Sequence, residues 1–212
     1  MSKICNIAAA LAFDNEISIR PGDLLIAADA GYEQLVKRGL KPDLIVGDFD
    51  SLGSIPESEN IVRHPVMKDD TDLMLAIRLG LERGYKFFYI YGGLGGRLDH
   101  TIANIQALDF IAHNGGIGYL FGESETVTVF ADGVFSFPEG SDGIISVFAQ
   151  GGIAEGVTLK GLLYPLNNAT LTPSYPLGVS NEFTGSEASV TLKKGRLLVI
   201  WTGGHMGVIS KN

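Results

Sequence analysis

Short apolar runs alternate with helical periods through the first half of the chain. Leu24 to Asp29 (LLIAAD) predicts a buried strand, Gly31 to Arg38 (GYEQLVKR) a helix stopped by Gly39, and Asp43 to Val46 (DLIV) the next strand. The N-terminal MSKICNIAAALAFDN reads as a first strand, and residues 60–63 as a short one. In Thr71 to Arg83 (TDLMLAIRLGLER), Leu73, Ile77 and Leu81 recur at helical spacing, with acids in front and Gly84 behind, which predicts a helix. Phe87 to Tyr91 (FFYIY) reads as a buried strand, Leu98 to Asn114 as a second long helix and Gly118 to Phe121 as a last strand. Strands alternating with helices predict a mainly parallel sheet covered on both faces.

The pattern changes near residue 123. ETVTVFADGVFSFP predicts two strands around a D-G turn, GIISVFAQ another, and SVTLKKGRLLVIWT a hairpin about KKGR. No long helical period appears in this half, which suits an antiparallel sandwich or barrel. The expected fold is therefore an α/β N-terminal domain over residues 1–122 and a C-terminal all-β sandwich domain over 123–212.

The chain has 212 residues, 45% hydrophobic and 19% charged, as a folded protein requires. No apolar run approaches the ~20 residues that span a bilayer, and the N-terminus is a poor signal peptide. A single cysteine, Cys5, permits no intramolecular disulfide, so a reducing cytoplasm is the expected location. The formal net charge of −8, without a cluster of Lys or Arg, offers no footprint for nucleic acid or an anionic membrane.

That acidic balance sharpens the question raised by the strand ends. In an open α/β sheet, ligands bind outside the carboxyl ends of the strands. Asp29 ends one predicted strand, Asp48 and Asp50 in GDFDS follow another, Asp69, Asp70 and Asp72 in KDDTD precede or open a helix, and Asp99 opens the second helix. Asp48 and Asp50, at i and i+2, project the same way in an extended segment and can share a hard cation. An isolated D-x-D is more often an Asx turn. Convergence of Asp29 and Asp72 on the same rim favours a Mg²⁺ site here. Asp and Thr at a helix start are also ordinary caps, but the acids of KDDTD exceed what capping needs, and Asp72, in the first turn, is the one placed to reach over the crevice.

GGLGGRLDH at 92–100 matches neither a Walker A loop nor G-x-G-x-x-G. Its glycines still let backbone N–H groups approach phosphate, and Arg97 can grip phosphate in a fork. The alternative is a tight strand-to-helix turn with a surface arginine. His100, beside an Asp, reads as scaffold. Together these features predict a phosphate-bearing ligand held by a metal, Arg97 and Lys68, with kinase-type transfer that needs no covalent nucleophile.

The motifs AADAG (27–31), PDLIVGDFDS (42–51), KDDTD (68–72), GGLGGRLDH with Asn104, and VSNEF (179–183) occur in the order seen in thiamine pyrophosphokinases, and the chain resembles that family along nearly its whole length. The resemblance implies a homodimer with thiamine in the dimer cleft and Mg²⁺-dependent transfer of pyrophosphate from ATP to the thiamine hydroxyl, giving thiamine diphosphate and AMP. It further implies that Asp29, Asp48, Asp50 and Asp72 form the metal and pyrophosphate cluster, with Asp72 orienting or deprotonating the hydroxyl. Arg97, Asp99 and Asn104 fall on the nucleotide side, and Ser180 and Asn181 become thiamine contacts. Trp201, the only tryptophan, is either a stacking partner for thiamine or a core residue. Ala8-Ala9-Ala10 and Ala30 stand where the family usually has glycine, so added methyl groups narrow the nucleotide's approach to the backbone. Two rival readings are a D-x-D glycosyltransferase for a nucleotide sugar and a non-catalytic sensor of thiamine diphosphate or nucleotide.

Overall fold

The computed structural model describes residues 2–47, 61–62 and 70–210. The chain divides into two compact units, Met1–Glu123 and Ser124–Asn212. It is a sheet-rich α/β protein, with parallel pairing in the first unit and antiparallel pairing in the second.

In the first unit the elements run β1 (Ile4–Ala8), β2 (Leu24–Ala28), α1 (Gly31–Lys37), β3 (Leu44–Val46), β4 (Ile61–Val62), α2 (Asp72–Glu82), β5 (Phe87–Tyr91), α3 (Leu98–His113) and β6 (Ile117–Phe121). The strands lie in the order β6-β5-β1-β2-β3-β4, all parallel. From β1 the chain builds outward through β2, β3 and β4, then returns to the other side of β1 to lay down β5 and β6. The strand order therefore reverses between β1 and β5, the place where such sheets bind ligands at their carboxyl ends.

Strand alternation divides the side chains between two faces. One carries Ala8, Leu25, Ala27, Ile45 and Tyr91, packed with Leu35 of α1 and with Phe13 and Ile17 of the loop after β1. On the other, α2 approaches closely: a Cβ on Gly80 would lie 2.6 Å from the Phe88 ring and 2.9 Å from Cys5 Sγ, so a mid-helix glycine lets helix and sheet touch. Cys5 is fully buried there, and desolvation pushes its thiol far above the usual range.

The second unit comprises β7 (Glu125–Phe137), β8 (Ile144–Ala149), β9 (Ala154–Lys160), β10 (Leu166–Leu171), β11 (Gly178–Glu182), β12 (Ala188–Thr202) and β13 (Val208–Ser210). Its frame differs from the two predicted hairpins. ADG and KKGR lie inside two long strands, β7 and β12, which pair with each other from Ala188↔Phe137 to Thr202↔Glu125. Their register shifts between Leu192 and Arg196, opposite Gly133 and Ala131, so the expected turn residues form facing irregularities instead. The shift lies where β12 exchanges partners, since Ser189 to Lys194 pair with β9 and Leu197 to Trp201 with β8. β10 pairs with β9, β11 with β8 and β13 with β7.

Candidate active site at the strand ends

A cavity of about 320 Å³ opens at the carboxyl ends of β1, β2 and β5, at the reversal point. The segment after β1 supplies its apolar wall. Ala9 N–H donates to the Tyr91 carbonyl (2.8 Å) and Leu11 N–H to the Gly92 carbonyl (3.0 Å), which carries Ala9, Ala10 and Leu11 along the end of β5. Gly92 has φ +68°, and a Cβ there would run into the Leu11 carbonyl, so this contact requires glycine.

Asp29 enters the cavity from the end of β2 in a left-handed conformation, φ 49°. Its N–H donates to Val46 O (2.8 Å) and its carbonyl accepts from Tyr32 N–H (3.1 Å), so flanking backbone holds the conformation. A non-glycine residue held at positive φ is uncommon and clusters at functional sites. Asp72 lines the same cavity as the first residue of α2. Its position follows from the cap before it, where Thr71 Oγ1 accepts from Met74 N–H at 3.3 Å.

The glycine loop closes the remaining side. Gly92, Gly93, Gly95, Arg97, His100 and Asn104 all line the cavity. Arg97 is the N-cap residue of α3, and its guanidinium forks onto Asp99, Nε to Oδ1 at 3.1 Å and Nη2 to Oδ2 at 2.6 Å. That hydrogen bonding holds the Asp99 carboxyl below the ordinary range. Both side chains are exposed, 74% and 63%, so the fork lies at the surface of the cavity rim. Asn104 turns its amide inward and donates from Nδ2 to the Gly93 carbonyl at 2.7 Å, pinning the loop to α3.

Asp29, Asp72, Arg97 and Asn104 therefore converge on one cavity. Asp48, Asp50 and Lys68 lie outside the described residues, and among the described residues no three acidic, His or Cys side chains form a metal-binding group. In the second unit, Ser180 is exposed with φ 55°, and its N–H donates to Ser146 Oγ at 3.0 Å. Asn181 is 3% exposed: its amide donates to Tyr164 O (2.7 Å) while its oxygen accepts from Tyr164 and Glu182 N–H. Trp201 is 1% exposed, packs at 5.6 Å from Phe135 and 5.3 Å from Phe137, and donates from Nε1 to His205 O. Its surroundings are those of a core residue. Leu11, Thr71, Leu73 and His100 also contribute to the cavity wall. In the sequence, Thr71 reads as a helix cap, Leu73 as part of the apolar stripe of its helix and His100 as scaffold, and Leu11 carries no signal.

Comparison with known proteins agrees along the chain. Residues 18–116 match the family described as thiamin pyrophosphokinase, catalytic domain, and residues 136–197 the thiamin pyrophosphokinase, vitamin B1 binding domain. The thiamine pyrophosphokinase of Bacillus subtilis (strain 168) is 30% identical over 184 residues, covering 84% of this chain and 86% of that protein. A crystal structure of the Bacillus subtilis thiamine pyrophosphokinase superposes with a TM-score of 0.82 at 28% identity, over 95% of this chain and 100% of that one. A crystal structure of a thiamin pyrophosphokinase family protein from Enterococcus faecalis gives 0.77 at 27% identity, over 96% of this chain and 100% of that one. The chain belongs to the thiamine pyrophosphokinase family.

Proposed function

We propose that this protein is an ATP-dependent thiamine diphosphokinase, transferring the terminal pyrophosphate of ATP to the hydroxyl of thiamine. The observation that carries this reading is the strand-end cavity in which Asp29, Asp72, Arg97 and the glycine loop meet, in a chain of this family. In the proposed step the thiamine hydroxyl oxygen attacks the β-phosphorus and the bond from that phosphorus to the α,β-bridging oxygen breaks. AMP leaves with that oxygen, and the hydroxyl proton passes to a carboxylate, for which Asp72 is the candidate.

Asp29 and Asp72 are hard oxygen donors of the type Mg²⁺ takes, and Mg²⁺ needs only one or two carboxylates beside substrate phosphate and water, so the donor set fits. We assign the ion to these two together with Asp48 and Asp50. When bound, it neutralises charge on the polyphosphate. Arg97 grips phosphate oxygens, which requires its fork to leave or share Asp99. Lys68 adds a second cation and Asn104 holds the loop whose backbone faces the nucleotide. Ser180 and Asn181 are assigned to thiamine, with Trp201 supporting that region from the core.

This reading divides the labour between an ATP- and Mg²⁺-binding domain at 1–122 and a thiamine-binding β-sandwich at 123–212. It places the working enzyme in the cytoplasm as a homodimer with thiamine in the cleft between subunits. Mixing the protein with thiamine, ATP and Mg²⁺ should yield thiamine diphosphate and AMP in equal amounts. ADP as the nucleotide product would overturn the reading. So would saturable thiamine binding without turnover, the behaviour of a sensor.

A further inference from the structure

The acidic run before α2 holds a residue that the cavity does not use. Asp70 is absent from the cavity lining, although it lies two residues from Asp72. Its Oδ2 instead sits 2.9 Å from Arg78 Nε, and the carboxylate side chain is only 18% exposed. Arg78 is two turns further along α2, and its guanidinium carbon lies 4.9 Å from the centroid of the Phe110 ring on α3. Stacking on an aromatic face restricts a guanidinium to one plane, and a planar fork gives directional hydrogen bonds. The three side chains thus tie the chain entering α2 to the body of α2 and to α3.

We propose that Asp70 and Arg78, braced on Phe110, form a positioning lock that fixes the first turn of α2 and with it the Asp72 carboxylate on the cavity wall. Two bonds run forward from Thr71 into the helix: its Oγ1 accepts from Met74 N–H (3.3 Å) and its carbonyl accepts from Leu75 N–H (3.0 Å). The ion pair anchors the residue just before it, so these bonds and the anchor act together on the turn that carries Asp72. Asp70 and Arg78 touch neither nucleotide nor thiamine in this scheme and act only through Asp72.

The test rests on the diphosphokinase reading and carries a second readout that does not. Asp70→Asn, Arg78→Gln and the double variant are compared with the unaltered protein for AMP formation, thermal midpoint and hydrogen exchange of the Met74 amide. The expected result is a kcat about ten- to a hundredfold lower in each single variant, because a displacement of about 1 Å in a reacting group has this effect. KM for ATP and thiamine should move less than about twofold, since ground-state contacts are intact. The double variant should be no worse than either single one. Met74 exchange should quicken while the C-terminal turn of α2 is unaffected, and the thermal midpoint should hold within about 3 °C, as expected for a partly exposed pair.

Unchanged kcat in both single variants overturns the lock. So do additive losses, or exchange that quickens equally along the whole helix. If the unaltered protein makes no thiamine diphosphate, the functional reading fails and Met74 exchange decides the lock alone: faster in both single variants supports it, and unchanged in either overturns it.

Discussion

Asp29 combines two properties that substitution can separate, a carboxylate on the cavity and a backbone at φ 49°. Asparagine tolerates the left-handed region nearly as well as aspartate, whereas alanine there costs about 1–2 kcal/mol. Asp29→Asn should therefore lower turnover at least tenfold with almost no change in urea midpoint. Asp29→Ala should lower turnover equally and also lose about 1–2 kcal/mol of stability. Equal midpoints for the two variants would show that the backbone is not strained, and normal turnover in Asp29→Asn would remove the carboxylate from the proposed metal set. The contrast with Asn181 is instructive. Both were singled out as polar residues in a family motif, but the Asn181 amide already bonds Tyr164 and Glu182, so the thiamine contact proposed for it has to leave or share one of those bonds.

At the level of elements, Asp23 links three segments. It stands at the start of β2, and its Oδ1 accepts from Ile4 N–H of β1 (2.8 Å) while Oδ2 accepts from Arg20 N–H (3.0 Å) and Nε (3.2 Å). Burial raises its pKa, but these donors lower it by more, so the carboxyl lies below its ordinary 3.8. A depressed folded-state value means that the stabilisation is complete above 3.8 and is lost as pH falls through the lower folded value. Asp23→Asn should cost about 1–3 kcal/mol at neutral pH and flatten the acid limb of the stability curve below about pH 4. An unchanged acid limb would place the pH dependence elsewhere. The same scale shows what periodicity can reveal. Helix α2 and strand β5 fall where apolar spacing put them, because α2 buries one stripe (Leu73, Ala76, Ile77 and Gly80) and β5 is one short apolar run with Phe88, Ile90 and Tyr91 buried. The D-G and KKGR signals misled because turn chemistry is local, whereas β7 and β12 are long strands whose mutual pairing carries through both places. Strands β9, β10, β11 and β13 were not foreseen: β10 and β11 alternate weakly and carry polar exposed residues, so their identity comes from neighbours. The cavity's carboxylates and glycine loop were legible because charge at a strand end has few structural uses. The Asp70 to Arg78 pair was not, because a separation of eight along the chain acquires meaning only once the helix and its neighbour are in place.

For the whole molecule, the proposed dimer turns on which chain completes a site. Family membership identifies one matched region as catalytic and another as vitamin B1 binding, and the proposed dimer places thiamine between subunits. If the thiamine contacts come from the partner, a subunit carrying Asp72→Asn and one carrying Asn181→Ala have complementary defects. In their hybrid, one site combines both substitutions and the other combines neither. Random exchange makes about half the dimers hybrid, each with one intact site of two, so mixing two inactive variants should restore about 25% of normal activity under closed two-fold symmetry. If each chain completes its own site, every site in the hybrid retains one defect and mixing restores nothing. Light scattering on the same samples supplies the control, because a monomeric mass would refute the dimer directly, whereas a dimeric mass without recovered AMP formation would place both sets of contacts in one chain. The net charge of −8 makes the ionic strength of the mixing buffer matter, since like-charged subunits re-associate slowly at low salt. Recovery should therefore come faster at about 0.15 M salt than at 0.01 M, and reach the same plateau.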